Sequence, residues 1–317
     1  MSLIDHAGRD RSVPRPRAEG TIGYPWGPVV EGPDGVTRHH DLVYAAEPGF
    51  RPQLLEIWRN SGDVSARPTQ PLIVWVHGGG WLWGWHRRCS PAMYPHRQFA
   101  RMVEAGFVVA MVDYRMARET NADGMCLDLR AAVRWLREHA AVFGIDPRRV
   151  AYWGESAGGH LALMTSYQDA LAALPPVGEY PNQSEQVQAI VDWYGPTDAR
   201  PPADELGPQM RNDPDYVVNP IELLLVDSAF DNAGISPLAL VRPGLPPTCI
   251  AQGQLDGVVR PKYSRALHNA LQEAGVDVRY LEAKGAGHVF ADATSAEIDG
   301  VIDDCISFLG KHLGPER

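Results

Sequence analysis

The chain has 317 residues, 44% of them hydrophobic, with a formal charge of -10 and a pI near 5.5. That is ample apolar material for one large α/β core, and the acidic balance excludes the basic face that a nucleic-acid binder presents. No apolar run reaches the roughly 18 residues that suggest a membrane-spanning helix, and no His-Glu-x-x-His or spaced Cys/His cluster suggests a bound metal.

Residues 1–36 are rich in Arg, Pro and Gly and lack periodicity. They read either as a loose arm or, through Tyr24 and Trp26, as a lid over a site. The stretch Met1–Gly20 has no apolar core of the kind an export signal needs. The expectation is therefore a cytoplasmic protein whose cysteines, Cys89, Cys126, Cys249 and Cys305, are reduced. Residues 37–45 and 53–59 read as two strands joined at Pro48-Gly49. Pro71–Val76 and Phe107–Val112 are continuous apolar runs, as expected of strands buried on both faces. A helix is expected over 95–105 and a longer one over Met125–Phe143, ending at Gly144. Further strands are expected at 150–153, 187–193, 247–252 and 276–282, and helices at 161–171, 262–274 and 297–313. Alternation of this kind predicts a mostly parallel sheet covered on both faces. Residues 37–317 thus read as one α/β domain. The Pro-rich stretch 199–236, with a short apolar helix near 221–226, reads as a cap or pocket wall.

One motif dominates the chain. Gly154-Glu155-Ser156-Ala157-Gly158 places a serine between two glycines, with an apolar strand before it and a helix after it. A serine hydroxyl is a weak nucleophile and needs a base, which in turn needs an orienting carboxylate. Asp256 and His288 each follow a predicted strand, so Ser156, Asp256 and His288 come in the order that such a sheet requires. Asp192 and Asp198 are rival acids, but Asp192 precedes its strand tip and Asp198 lies in a Gly-Pro-Thr-Asp turn that reads as structural. Upstream, His77-Gly78-Gly79-Gly80 ends a buried strand. Glycines let a backbone turn its N–H groups toward a developing oxyanion. Ala157, at a helix N-terminus directly after the serine, would add another donor. His77 reads as a prop for this loop, and Asp113 and Arg115 as a structural ion pair. Trp81, Trp83 and Trp85 read as core residues or as pocket walls, and Glu155 as a pocket residue.

Taken together, these motifs resemble the α/β-hydrolase superfamily, and within it the hormone-sensitive-lipase-like and bacterial feruloyl/acetyl esterase-type carboxylesterases. The stretches that carry the resemblance are His77–Trp81, Asp113-Tyr114-Arg115, Gly144–Val150, Gly154–His160, Trp193–Asp198 and Gly287-His288. Met116-Ala117-Arg118-Glu119 departs from the Leu-x-Pro-Glu that usually follows Asp-Tyr-Arg. The resemblance implies an eight-stranded, mostly parallel sheet with helices on both faces. It also implies Ser156 as nucleophile, His288 as general base and acid, and Asp256 as its orienter, with oxyanion donors at Gly79, Gly80 and Ala157. It implies a small ester as substrate, no cofactor, and homodimerisation through the last helix and strand. N-formylkynurenine-type amides, lactones and acyl transfer are alternatives within the same chemistry. A non-catalytic ligand receptor on this scaffold is the alternative outside it.

Overall fold

Alternate residues of the central strands face opposite sides. In β4 (Gln70–Val76) Leu72, Val74 and Val76 join one buried cluster while Ile73 and Trp75 join another. The same alternation runs through β5 (Val108–Val112) and through Val150–Trp153 of β6 (Ile145–Glu155), which explains why these stretches read as apolar runs: both faces are covered. The computed structural model describes residues 29–32, 34–200 and 220–314.

The remaining strands are β1 (Val29–Glu31), β2 (Val36–Ala45), β3 (Gln53–Asn60), β7 (Ala189–Trp193), β8 (Thr248–Gly253) and β9 (Val278–Ala283). Their order in the sheet is β1-β2-β3-β5-β4-β6-β7-β8-β9. Pairing is antiparallel from β1 to β5 and parallel from there to β9. The helices are α1 (Gln98–Glu104), α2 (Ala122–Glu138), α3 (Ala140–Phe143), α4 (Ala157–Tyr167), α5 (Pro220–Leu225), α6 (Pro261–Glu273) and α7 (Ser295–Leu313). Buried side chains of α2, α4 and α6 pack on one face of the sheet. Those of α1 and α7 pack on the other, around a group of edge-to-face tryptophans. Trp193 meets Trp75 at 5.9 Å and Trp153 at 5.1 Å between ring centroids.

This is the expected α/β architecture with one strand more than expected. The ninth strand, β1, is a three-residue edge strand inside the stretch read as an arm. It pairs with β2 through a turn in which Gly32 N–H donates to the Val36 carbonyl at 2.9 Å, with Arg38 held by Asp34. The helix expected over 95–105 begins later. Pro95 sits in a 3-10 turn, and Arg97 adopts a left-handed conformation (φ 50°) before α1 starts. The helix expected over 125–143 divides at His139 into α2 and α3 and stops at Gly144, where φ is 72°. The helix expected over 161–171 begins at Ala157 and ends at Tyr167, because Gln168 is extended. Residues 1–28 and 201–219, which hold most of the expected lid and cap, lie outside the described residues.

Candidate active site

Ser156 stands between β6 and α4 with φ 52° and ψ -120°, a conformation that non-glycine residues rarely adopt. The two flanking glycines explain how the chain tolerates it. A Cβ on Gly158 would lie 2.1 Å from the Val76 carbonyl oxygen, and one on Gly154 would lie 2.2 Å from that of Gly158. Only hydrogen fits at either position, so the turn can close tightly against the end of β4. The Ser156 N–H donates to the Trp193 carbonyl at 2.8 Å, anchoring the turn to β7.

Three strand ends bring the titratable groups together. Ser156 Oγ lies 3.1 Å from His288 Nε2, and His288 Nδ1 lies 2.8 Å from Asp256 Oδ2. Asp256 is buried and its carboxylate is saturated with donors. Oδ1 accepts from the backbone N–H groups of Val258 and Val259, each at 2.8 Å, and Oδ2 also accepts from Gln252 Nε2 at 2.9 Å. An ionised carboxylate requires Nδ1 to carry the proton, which leaves Nε2 as an acceptor toward the Ser156 hydroxyl. The edge of the Tyr194 ring meets the imidazole at 5.1 Å between centroids.

The rival acids are engaged elsewhere. Asp192 is buried within β7, where its Oδ1 accepts from Gly195 N–H at 3.0 Å and burial lifts its pKa to about 7. Asp198 accepts from the Arg200 backbone at 3.1 Å and from its guanidinium at 2.7 and 2.8 Å, a local structural clamp.

The glycine loop after β4 faces the same cavity. That cavity, of about 400 Å³, is lined by Gly78, Gly79, Gly80, Ser156, Ala157 and His288, among others. Gly79 has φ 126° and its carbonyl accepts from the N–H groups of Leu82 and Trp83, folding the loop back on itself. The N–H groups of Gly79, Gly80 and Ala157 donate to no acceptor among the described residues. His77 is buried, donates from Nδ1 to the Gly78 carbonyl at 2.7 Å and stacks on Tyr114 at 4.4 Å. Burial lowers its pKa to about 4, so it is neutral and acts as the expected prop.

Several expected neighbours sort differently. Trp81 is buried and lines the cavity, while Trp83 lines it and remains half exposed. Trp85 does not line it. The chain turns at Gly84 (φ 134°), and the buried His86 N–H is held by Asp113 Oδ1, which leaves Trp85 on the outside at 53% exposure. Asp113 and Arg115 do not pair with each other. Asp113 holds His86 and Arg51, whereas Arg115 makes a two-pronged contact with the buried Asp128 of α2, at 3.1 Å from Nε and 2.8 Å from Nη2 to Oδ1. Strand β5 has ended before these positions, so each side chain anchors a different neighbouring segment. Glu155 lines the cavity as expected but is almost fully buried. It accepts from Ser90 N–H at 3.1 Å, Ser90 Oγ at 2.6 Å and Tyr194 Oη at 3.1 Å. Burial still raises its pKa against the pull of these donors.

Sequence reasoning missed the apolar wall formed by Pro196, Val258, Val259 and Val289, and it missed Arg88 and Ser90. Val258 and Val259 follow the expected acid by two and three residues, which is the signal that could have placed them. No metal-holding cluster occurs among the described residues, and none of their helices is long and apolar enough to cross a membrane.

A mostly parallel sheet with a serine turn after its central strand, and an acid and a histidine on later strand ends, defines an α/β-hydrolase fold. More narrowly, the chain belongs to the BD-FAE family, whose model matches residues 58–271. Esterase LipQ of Mycobacterium tuberculosis is 30% identical over 295 residues, covering 90% of this chain and 66% of LipQ. The chain spans two thirds or less of the length of such curated relatives. Among solved structures, a truncated carbohydrate esterase from gut microbiota superposes with a TM-score of 0.71 at 23% identity, over 89% of this chain and 98% of that one. Native Est2, a thermophilic esterase of Thermogutta terrifontis, superposes with a TM-score of 0.68 at 25% identity, over 92% of this chain and 95% of that one.

Proposed function

We propose that this protein is a serine esterase that hydrolyses small carboxylic esters through an acyl-enzyme intermediate. The observation that carries this reading is the hydrogen-bonded series Ser156–His288–Asp256 opening onto the cavity that the Gly79, Gly80 and Ala157 amides also line. His288 Nε2 takes the proton from Ser156 Oγ as the oxygen attacks the ester carbonyl carbon. The carbonyl oxygen gains negative charge and is stabilised by the uncommitted N–H groups of Gly79, Gly80 and Ala157, helped by the positive end of α4. His288 then gives its proton to the leaving alkoxide, and the C–O bond to the alcohol breaks. Water enters, His288 removes its proton, and the hydroxide attacks the acyl carbon. Ser156 Oγ departs and recovers the proton from His288. Asp256 holds the imidazole in the required tautomer throughout and stabilises the transient imidazolium. No step calls for a cofactor.

The cavity suits a small ester. A recess beside it, walled by Trp81, Pro196, Ile221, Val258 and Val259, measures only about 20 Å³, which favours a short acyl group. LipQ and Est2 are both named esterases, which agrees with this reading. The test is turnover of p-nitrophenyl acetate and butyrate together with labelling by a fluorophosphonate. Ser156→Ala is expected to lose labelling and to lower kcat by on the order of 10⁴-fold or more. Undiminished turnover in that variant would sink the reading.

A further inference from the structure

Arg88 lines the same cavity as Ser156 and His288. Its guanidinium carbon lies 3.5 Å from the centroid of the Trp83 ring, so an aromatic face covers one side of the cation. Among the described residues, no carboxylate lies at ion-pair distance from this guanidinium and no acceptor takes a hydrogen bond from it. The adjacent Arg87, by contrast, pairs with both Glu56 and Asp41. Among the described residues that line the cavity, the one carboxylate, that of Glu155, is already occupied by Ser90 and Tyr194. Besides Ser156 and His288, the rest of the lining is the backbone of the glycine loop and Ala157 and the apolar groups of Trp81, Pro196, Val258, Val259 and Val289. A half-buried cation in such a setting has lost part of its hydration, and only the Trp83 face replaces it. Its planar N–H edge matches a carboxylate bidentately.

We infer that Arg88, held by Trp83, recognises a carboxylate on the substrate, so that the preferred esters carry one free carboxylate within reach of the scissile carbonyl. This rests on the esterase reading and specifies its substrate class. The carboxylate has two sources: the acyl side, as in a half-ester of a dicarboxylic acid, or the alcohol side, as in an acylated hydroxy acid. The protein carries a formal charge of -10, so long-range electrostatics disfavour anions. Selectivity for an anionic ester must therefore come from a local contact.

The experiment compares kcat/KM within two pairs of esters. 4-Nitrophenyl hydrogen succinate against 4-nitrophenyl pentanoate probes the acyl side. 4-Acetoxybenzoate against 4-acetoxybenzamide probes the alcohol side. The wild-type protein is expected to favour the anion in one pair by roughly 10-fold or more, the worth of a charge-assisted contact. The ratio should fall to near unity in Arg88→Met and recover in part in Arg88→Lys, which restores the charge without the fork. Using ratios within each variant removes any general loss of activity. Because the wild-type ratio stands alone, the test survives a variant that fails to fold. A wild-type protein that labels with fluorophosphonate and cleaves the neutral esters, yet shows no anionic preference in either pair, overturns this inference and leaves the esterase reading standing. An unchanged ratio in Arg88→Met overturns it equally. Absence of both labelling and turnover overturns the two together.

Discussion

Tyr194 donates its hydroxyl proton to Glu155 at 3.1 Å while its ring edge abuts the His288 imidazole, so the residue before the serine and the base share one support. Ser90 completes this support through two further bonds to the same carboxylate oxygen. Glu155→Ala strands all three donors in a buried setting and is expected to cost about 3 kcal/mol. Tyr194→Phe removes one donor and leaves the carboxylate bonded to Ser90, at a cost of about 1 kcal/mol. Urea unfolding of the two variants checks the ranking, and equal losses would contradict it.

The carboxylate of Asp256 sets which imidazole nitrogen carries the proton. Asp256→Asn keeps the shape but offers an amide that can also satisfy Nδ1 in its unprotonated form, which aims the wrong nitrogen state at Ser156 Oγ. A fall in kcat on the order of 10³-fold or more is expected, with a fold-level signal by circular dichroism like that of the wild type. A kcat within a few fold of wild type would show that Asp256 does not orient the base.

Asp192 bears on stability rather than on the reaction. Its pKa rises from 3.8 to about 7 because β7 buries it, and Oδ2 has no partner among the described residues. A raised folded-state value means that the stabilising contribution is present below about pH 4 and is lost as pH rises toward 7, since ionisation favours the unfolded chain. Asp192→Asn keeps the acceptor for Gly195 and removes the titration. The stability difference, variant minus wild type, should grow by up to about 4 kcal/mol between pH 4 and 7. His39, His77 and His160 act with the opposite sign. Burial lowers each to about 4, so their contribution is lost as pH falls from 6.5 toward 4. Chemical denaturation across that range, for both proteins, separates the effects. A pH-independent difference would remove Asp192 from the account.

The parts of the site legible in the sequence were those fixed by short-range backbone demands. Gly154 and Gly158 announce a tight turn around Ser156 because no larger residue fits at either position, and His288 follows a strand end that hydropathy alone exposes. The glycines after β4 are legible for the same reason. What escaped depends on partners distant in sequence. Arg115 pairs across 13 residues with Asp128 rather than with its near neighbour Asp113, and nothing local distinguishes the two pairings. Trp85 follows the glycine loop just as Trp81 and Trp83 do, so core and pocket wall both stay open for it in the sequence, and the turn at Gly84 puts it outside, in neither. Pro196, Val258 and Val259 are ordinary apolar residues whose role as a wall comes only from where β7 and β8 end. Strand β1 is hidden by its Arg- and Pro-rich surroundings, although the Asp34-Gly35 pair after it is a hairpin signal in the sequence.

One side chain couples regions that look separable on paper. His160, in the first turn of α4, accepts from Trp81 Nε1 at 3.2 Å and donates from Nε2 to the Ile235 carbonyl at 2.8 Å. The Ile235 carbonyl therefore determines that His160 Nδ1 is free of a proton, and that state is what gives the Trp81 indole an acceptor. The backbone at Ile235 is thus tied to the first turn of α4. A chimera with a junction near residue 235 must keep the backbone path that brings this carbonyl to His160 Nε2. Off that path His160 is free to carry its proton on Nδ1, and the Trp81 indole, which lines the cavity beside the glycine loop, loses its acceptor.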